Sequence, residues 1–310
     1  MHDVRSALTR LSGQLVGRRR ELELVLAALE AGRHIVIEGP PGTGKSTLLR
    51  AVADELAVGF EFVEGNAELT PARLVGHFDP ARVLAAGYDP EVFVDGPLVT
   101  AMREGALLYV EELNRVPEET LNVLITVMSE RELHVPRLGR IVADPGFRLV
   151  AAMNPFDAVG TARISSAVYD RVCRLSVDYQ SAQEEAAIVE RSTPGADAQW
   201  VERIVELVRR TRDHPDLRVG SSVRGALDAT AVVSSLAVLR DQPAASEAVG
   251  LDAVLISLSG RVRVREGSMR TSEEIITALW HEVFGRARSA PNGDAASTGK
   301  VTAPTGASRS

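Results

Sequence analysis

The sequence predicts an α/β fold, a parallel sheet flanked by helices, followed by a small α-helical domain. Three observations carry this expectation. Short, nearly continuous apolar runs recur at His34-Ile-Val-Ile-Glu38, Leu107-Leu-Tyr-Val-Glu111 and Arg148-Leu-Val-Ala-Ala152, the pattern of strands buried on both faces. Stretches with the helical period alternate with them. Beyond Tyr179 the helical period continues and the long apolar strand runs stop.

The elements follow in order. Residues 1–15 read as a short leader. A helix is expected over Arg19 to Ala31, with Leu22, Val25, Leu26 and Leu29 on one face and Gly32 as its stop. The first buried strand comes next, then a helix over Lys45 to Ala57 that Gly59 is expected to end. Phe60 to Glu64 alternates as a strand does. Residues 66–97 hold four prolines and several glycines and read as an irregular insertion with short elements. Leu98 to Glu104 is a short helix, Leu107 to Glu111 a strand, and Val116-Pro-Glu-Glu-Thr opens a helix with the apolar stripe Leu121, Leu124, Ile125 and Met128. Residues 131–146 alternate around Pro136 and Gly139 as a hairpin would. Strands follow at 148–152 and 172–177. Five helices are then expected at Ala182–Arg191, Ala198–Arg212, Ser222–Leu239, Ser246–Leu258 and Thr271–Phe284, and 288–310 reads as a disordered Ser/Ala/Gly/Thr/Pro-rich tail. The division is 1–15, 16–180, 181–287 and 288–310.

Composition narrows the function. Across 310 residues, 45% are hydrophobic and 25% charged, an ordinary globular mix. With 35 basic against 42 acidic residues the net charge is −7, which argues against a nucleic-acid surface. Arg18-Arg19-Arg20 and Arg209-Arg210-Thr-Arg212 read as solvated helix faces. One cysteine, Cys173, allows no intrachain disulfide and reads as a small core hydrophobe. No apolar stretch approaches the roughly 20 residues of a membrane span, and the N-terminus carries no apolar signal core, so a cytoplasmic location is expected.

The chemistry begins at Gly39-Pro40-Pro41-Gly42-Thr43-Gly44-Lys45-Ser46, set between a buried strand and a helix. In that context the segment is a phosphate-binding loop. Glycines lacking a Cβ let main-chain N–H groups curl around phosphate oxygens, and the start of the helix adds its positive dipole end. Lys45 can bridge the β- and γ-phosphates, and the Ser46 hydroxyl can sit on Mg²⁺. Such a site also needs a carboxylate near the metal and one near the attacking water. Glu111 and Glu112 stand at the end of a buried strand, Glu111 for the metal side and Glu112 for the water. Asn154, after another buried strand, is either a γ-phosphate or water contact or part of an Asn-Pro turn. Arg171 is either an arginine donated across a subunit boundary or a surface ion pair. Arg224 either reaches the nucleotide from the second domain or is exposed on a helix capped by Ser221 or Ser222.

Taken in order, Val16-Gly17-Arg18, Gly39–Ser46, Val94-Asp-Gly-Pro-Leu98, Leu107 to Arg115, Met153-Asn-Pro155, Asp170-Arg171 and Gly220–Arg224 resemble the AAA+ ATPases, and within them the MoxR family. The likeness spans about residues 15–285. It implies a P-loop AAA+ core followed by a small α-helical lid. It also implies that Gly39–Ser46, with Thr47 behind it, is Walker A and that Glu111-Glu112 is Walker B. Asn154 then corresponds to sensor 1, Arg171 to a trans-acting arginine finger, and Arg224 to sensor 2. Val16 and Gly17 fall where the linker packs on adenine, and Asn66 where related ATPases restrain the catalytic glutamate. Residues 66–97 resemble the insertion in the second helix, and 131–146 the hairpin before sensor 1. The metal-side acid is usually Asp; Glu111 is one methylene longer, which bears on the hydrolysis rate.

By that resemblance the expected activity is a Mg²⁺-dependent ATPase forming a ring, often a hexamer, that remodels or activates a protein client, with a von Willebrand A-domain protein as partner. Relatives activate metalloenzymes or carboxylating enzymes or serve gas-vesicle formation, and those branches stay open. Two alternatives stand beside this. One is a nucleic-acid ring motor or restriction-type GTPase using Arg131, His134, Arg137 and Arg140 of the hairpin. The other is a nucleotide-binding scaffold without turnover.

Overall fold

The computed structural model describes residues 4–155, 164–244 and 246–285. The expected tail at 288–310 lies outside the described residues. The chain opens with helices α1 (Val4–Gln14) and α2 (Arg19–Glu30), strand β1 (His34–Glu38), α3 (Lys45–Leu56) and β2 (Phe60–Glu64). The insertion supplies α4 (Pro71–Val75), β3 (Gly76–Phe78), α5 (Pro80–Ala86) and β4 (Phe93–Asp95). Then come α6 (Pro97–Glu104), β5 (Leu107–Glu111), α7 (Glu118–Glu130), the hairpin β6 (Glu132–Val135) and β7 (Gly139–Val142), β8 (Arg148–Met153), α8 (Ser166–Tyr169) and β9 (Val172–Ser176).

Five parallel strands form the sheet in the order β2-β5-β8-β1-β9. Alternation along the strands divides their side chains between two cores. Ile35, Ile37, Tyr109 and Val150 pack with α1, α2 and α3, while Val36, Leu108, Val110 and Leu149 pack with α6 and α7. The order brings the C-terminal ends of β1, β5 and β8 side by side, the edge where parallel sheets bind ligands.

A third core belongs to the C-terminal helices α9 (Ala182–Ser192), α10 (Ala198–Asp213), α11 (Val223–Arg240), α12 (Glu247–Leu258) and α13 (Ser272–Phe284). Their limits fall within one residue of expectation at nearly every end because each carries its own signals. Ser181 and Thr271 make capping boxes with Glu184 and Glu274, and Asp197 caps α10. An antiparallel ribbon, β10 (Leu217–Val219) and β11 (Arg263–Val264), interrupts the helices and had no signal in the sequence.

The leader forms helix α1, whose Ala7 and Leu11 are buried in the core beneath α2 and α3. Several expectations are corrected. Ala57, not Gly59, ends α3, in the left-handed conformation. Cys173 is exposed: β9 is the edge strand, and the cover that buries Leu175 does not extend to it. Arg18 is buried rather than solvated. So is the carboxylate of Glu185, which receives Arg209 (3.1 Å) and Arg212 (2.6 Å), leaving Arg210 on the surface. Ser222 occupies the N-cap of α11 without a side-chain cap, and the Ser221 hydroxyl donates to the Ser222 carbonyl at 3.2 Å.

His34 gives the fold a pH dependence. Its ring is buried, and Nδ1 accepts the Leu149 N–H at 2.8 Å. Burial, and then the charges of Arg148 and Arg131, lower its pKa to about 4. The folded chain therefore excludes a proton that the unfolded chain binds below pH ~6.5. Stability is full above that pH and falls as pH drops toward 4, by about 3 kcal/mol in total. Urea unfolding of wild type and His34→Asn at pH 7 and 4.5 is expected to show a shallower pH slope in the variant. Equal slopes would remove His34 as the source.

Candidate functional site

The phosphate-binding segment forms the turn from β1 into α3. Gly42 and Gly44 adopt φ of 74° and 80°, which a residue with a Cβ enters at a cost. Space is also closed at Gly42, where a Cβ would lie 2.1 Å from Ser222 Oγ. The start of α11 thus rests on the loop. Lys45 Nζ donates to the carbonyls of Gly39 (2.9 Å) and Pro40 (2.8 Å), and Thr43 Oγ1 donates to the Pro40 carbonyl at 3.0 Å. Burial lowers the Lys45 pKa, opposed by the nearby carboxylates of Glu112 and Glu111. Pro41 completes the turn, and Thr47 is exposed in the first turn of α3.

Glu111 ends β5 on the face that looks toward α3, in the same row as Leu107 and Tyr109. Ser46 Oγ donates to Glu111 Oε1 at 2.8 Å and lies 3.1 Å from the Tyr109 hydroxyl. An all-oxygen pair at the mouth of a phosphate loop is the donor chemistry that suits Mg²⁺. Glu112 follows with φ of 54°, a left-handed bend held by a residue other than glycine. Its Oε2 is buried with no hydrogen-bond partner; Arg115 Nε approaches to 3.4 Å without the alignment of a bond. The strained backbone costs about 1–3 kcal/mol, and Arg115 offers Oε2 its charge rather than a hydrogen bond. Such costs collect where a site needs a group aimed rather than satisfied. Gly65 at the end of β2 makes the bend possible, since a Cβ there would meet the Glu112 carbonyl oxygen at 2.3 Å.

Asn154 follows β8, beside β1 and β5, and its carbonyl accepts from Asn114 Nδ2 at 3.4 Å. Arg224, in the first turn of α11, borders a cavity of about 420 Å³ between the loop and the C-terminal helices. Val16, Gly42, Gly44 and Thr47 border it too, with apolar cover from Leu48, Ile188 and Leu227. Gly17 stands behind this wall, at φ 67° against the Glu184 side chain. Arg171 is not brought to this cavity. It ends the turn after α8, where Nε donates to Ser129 Oγ and Nη1 to the Ala167 carbonyl at 2.7 Å. Asn66 does not reach Glu112; its amide serves its own turn, bonding Glu64 O (3.1 Å) and Glu68 N (2.9 Å).

Sequence reasoning missed four residues here. Arg18 donates to the Thr43 carbonyl (2.9 Å), the Asp178 carbonyl (2.8 Å) and Gln180 Oε1 (2.9 Å), tying the loop to the segment that leads into α9. Asn114 is buried with Oδ1 unpartnered. Glu38, just before the loop, is buried and receives the Tyr169 hydroxyl (2.8 Å) and Arg174 Nε (2.7 Å). Burial and then the bond to Glu38 push the Tyr169 pKa up to about 12. Tyr109 is the fourth. A charged or phenolic group inside an apolar run was the available signal for Glu38 and Tyr109.

Comparison with known proteins bears on the fold. Residues 34–172 match the AAA domain of the dynein-related subfamily. An uncharacterized protein of Staphylococcus epidermidis (strain ATCC 12228 / FDA PCI 1200) is 28% identical over 220 residues, 69% of this chain and 83% of that protein. Another from Staphylococcus aureus (strain NCTC 8325 / PS 47) is 29% identical over the same span, with the same coverage. Among solved structures, a candidate ATPase of Cytophaga hutchinsonii superposes with a TM-score of 0.50 at 18% identity, covering 91% of this chain and 93% of that one. The RuvB Holliday junction branch migration motor of Thermotoga maritima gives 0.52 at 19%, covering 78% and 68%. At these identities the superpositions speak to fold alone. The chain therefore has the fold of the AAA+ P-loop ATPases, and its residues 34–172 are similar to the AAA domain of the dynein-related subfamily.

Proposed function

We propose that this chain is an oligomeric, Mg²⁺-dependent ATPase of the MoxR type, coupling ATP hydrolysis to the remodelling or activation of a protein client. The observation that carries the reading is the meeting of Ser46 and Glu111 at 2.8 Å beside Lys45, with Glu112 bent in next to them. The reading divides the chain into a nucleotide-binding body, 16–180, and a lid, 181–287. ATP lies with its phosphates on the main-chain N–H groups of Gly39–Ser46 and its base against Val16. Lys45 neutralises the β- and γ-phosphates. Ser46 and Glu111 would hold Mg²⁺, which would supply charge neutralisation on the phosphate oxygens.

Glu112 accepts the proton of the attacking water, and Asn154 orients that water or the γ-phosphate. Arg224 reaches the phosphates from the lid, and Arg171 serves the pocket of the next subunit in a ring, a hexamer in the family's usual form. A von Willebrand A-domain protein is the partner the family resemblance suggests for delivering the client. A cytoplasmic setting fits, and no described helix is long and apolar enough to cross a membrane.

The hairpin weighs against a nucleic-acid motor. Arg140 is paired with Glu132, Arg137 lies over the Tyr88 ring at 3.7 Å, and Arg131 donates to the Asp144 carbonyl at 2.9 Å. Three of the four expected phosphate contacts are therefore already engaged.

The test is phosphate release by the purified chain with Mg²⁺-ATP, in parallel with GTP and with EDTA. Release that requires Mg²⁺ and is lost in Lys45→Ala is expected. Nucleotide binding without release would replace the ATPase by a scaffold, and GTP preference would move the reading to the GTPase alternative.

A further inference from the structure

We infer that Tyr109 is a positioning residue for the Ser46–Glu111 pair, its hydroxyl holding in register a carboxylate one methylene longer than aspartate. The inference rests on the reading of that pair as the metal side of an ATPase site.

The strand puts Tyr109 where it can do this. Period-two alternation sends residues 107, 109 and 111 of β5 to the α3 face, so the phenol lies directly below the carboxylate of Glu111. The side chain is fully buried, and its hydroxyl is 3.1 Å from Ser46 Oγ. Hydrogen-bond valence then assigns the roles. Ser46 has one proton and two lone pairs. Its proton goes to Glu111 Oε1 at 2.8 Å, so in the contact with Tyr109 it is the acceptor and the phenol donates. One lone pair of Ser46 remains for a cation.

The ring is fixed as well. Phe60 and Phe62 of the neighbouring strand β2 pack on it, both with centroids at 5.7 Å, and the Arg50 guanidinium covers those two rings from outside. A tyrosine has two side-chain torsions, and both are held by this packing. Glu111 has one more torsion than aspartate, and so more ways to turn away from the loop. An immobile donor beside the pair confines it. A buried phenol among the Leu and Val residues of β5 needs a partner for its O–H, and leucine or phenylalanine would fill that space without one. The polar atom is explained by what it touches.

The experiment uses the full chain and a fluorescent ATP analogue, titrated with and without Mg²⁺, for wild type, Tyr109→Phe, Glu111→Asp and the double variant. Phenylalanine keeps the ring packing, so melting temperatures should stay close. Affinity in EDTA is expected to be unchanged within about twofold, while the Mg²⁺ concentration giving half-maximal enhancement rises about tenfold in Tyr109→Phe. In the Glu111→Asp background the same change is expected to cost less than about threefold, because the shorter carboxylate needs no brace. Wild-type Mg²⁺ dependence in Tyr109→Phe, or an equal loss in both backgrounds, overturns the positioning role and leaves the ATPase reading standing. Wild-type affinity indifferent to Mg²⁺ overturns the metal-side reading of Ser46 and Glu111, and this inference with it.

Discussion

Replacing Glu112 by glutamine is expected to lower ATP turnover by about 10²- to 10⁴-fold while nucleotide affinity stays within a few-fold of wild type. Glutamine keeps the volume and the left-handed bend at φ 54° but cannot take a proton from water. Binding is expected to survive because the proposed phosphate contacts belong to the loop and Lys45, not to this side chain. Stability should change little, since the variant loses the Arg115 ion pair but relieves the charge on a buried oxygen without a hydrogen-bond partner. Steady-state phosphate release at saturating Mg²⁺-ATP, with a binding titration on the same sample, reads both quantities. Turnover unchanged in the variant would remove Glu112 from the chemistry and leave Glu111 as the candidate base.

Arg171→Ala is the second large effect, an expected loss of about 10³-fold or more in turnover, the usual worth of an arginine that meets the γ-phosphate. The side chain does not border the cavity of its own loop; it lies at the end of α8, held by Ser129 and the Ala167 carbonyl. In the proposed ring it serves the pocket of a neighbouring subunit. Mixing gives the decisive readout. Lys45→Ala protein has no working pocket but an intact Arg171, so adding it to Arg171→Ala protein should restore part of the activity. Specific activity of the wild type should also climb with protein concentration if, as proposed, each pocket is completed by association. Mixed samples that stay inactive, with oligomers verified by light scattering, would count against donation across a subunit boundary.

Much of the fold was legible because its signals are local. The strands at Ile35–Ile37, Leu107–Val110 and Leu149–Ala152 are apolar on both faces, which only a sheet covered on both sides requires. Helix α10 announces itself through the Asp197 cap and a strongly one-sided apolar face. What misled was charge and edge position. Arg18 stands in a run of three arginines that reads as a solvated face, yet α2 begins right after it and its guanidinium turns inward to Glu21, Thr43, Asp178 and Gln180. Cys173 sits in an alternating segment whose outer neighbour is missing, and no residue within that segment marks it as the last strand. The ribbon of β10 and β11 joins residues more than forty apart through strands of three and two residues, too short for any period to register.

The sequence by itself determined the loop. Eight contiguous residues, set between a buried strand and the start of α3, specify the turn from β1 into α3 with Gly42 and Gly44 at positive φ, because main-chain conformation there is set by neighbours along the chain. Tertiary structure alone decided which groups stand around it. Ser46 meets Tyr109 and Glu111 across sixty-odd residues, Ser222 comes to Gly42, and Asn66 turns away from Glu112. Strand period says which face a side chain occupies, but the neighbour across that face follows from the order β2-β5-β8-β1-β9 and from the helices laid over it. That order is chosen by burial of the whole set of apolar faces at once, a property no local window of residues contains.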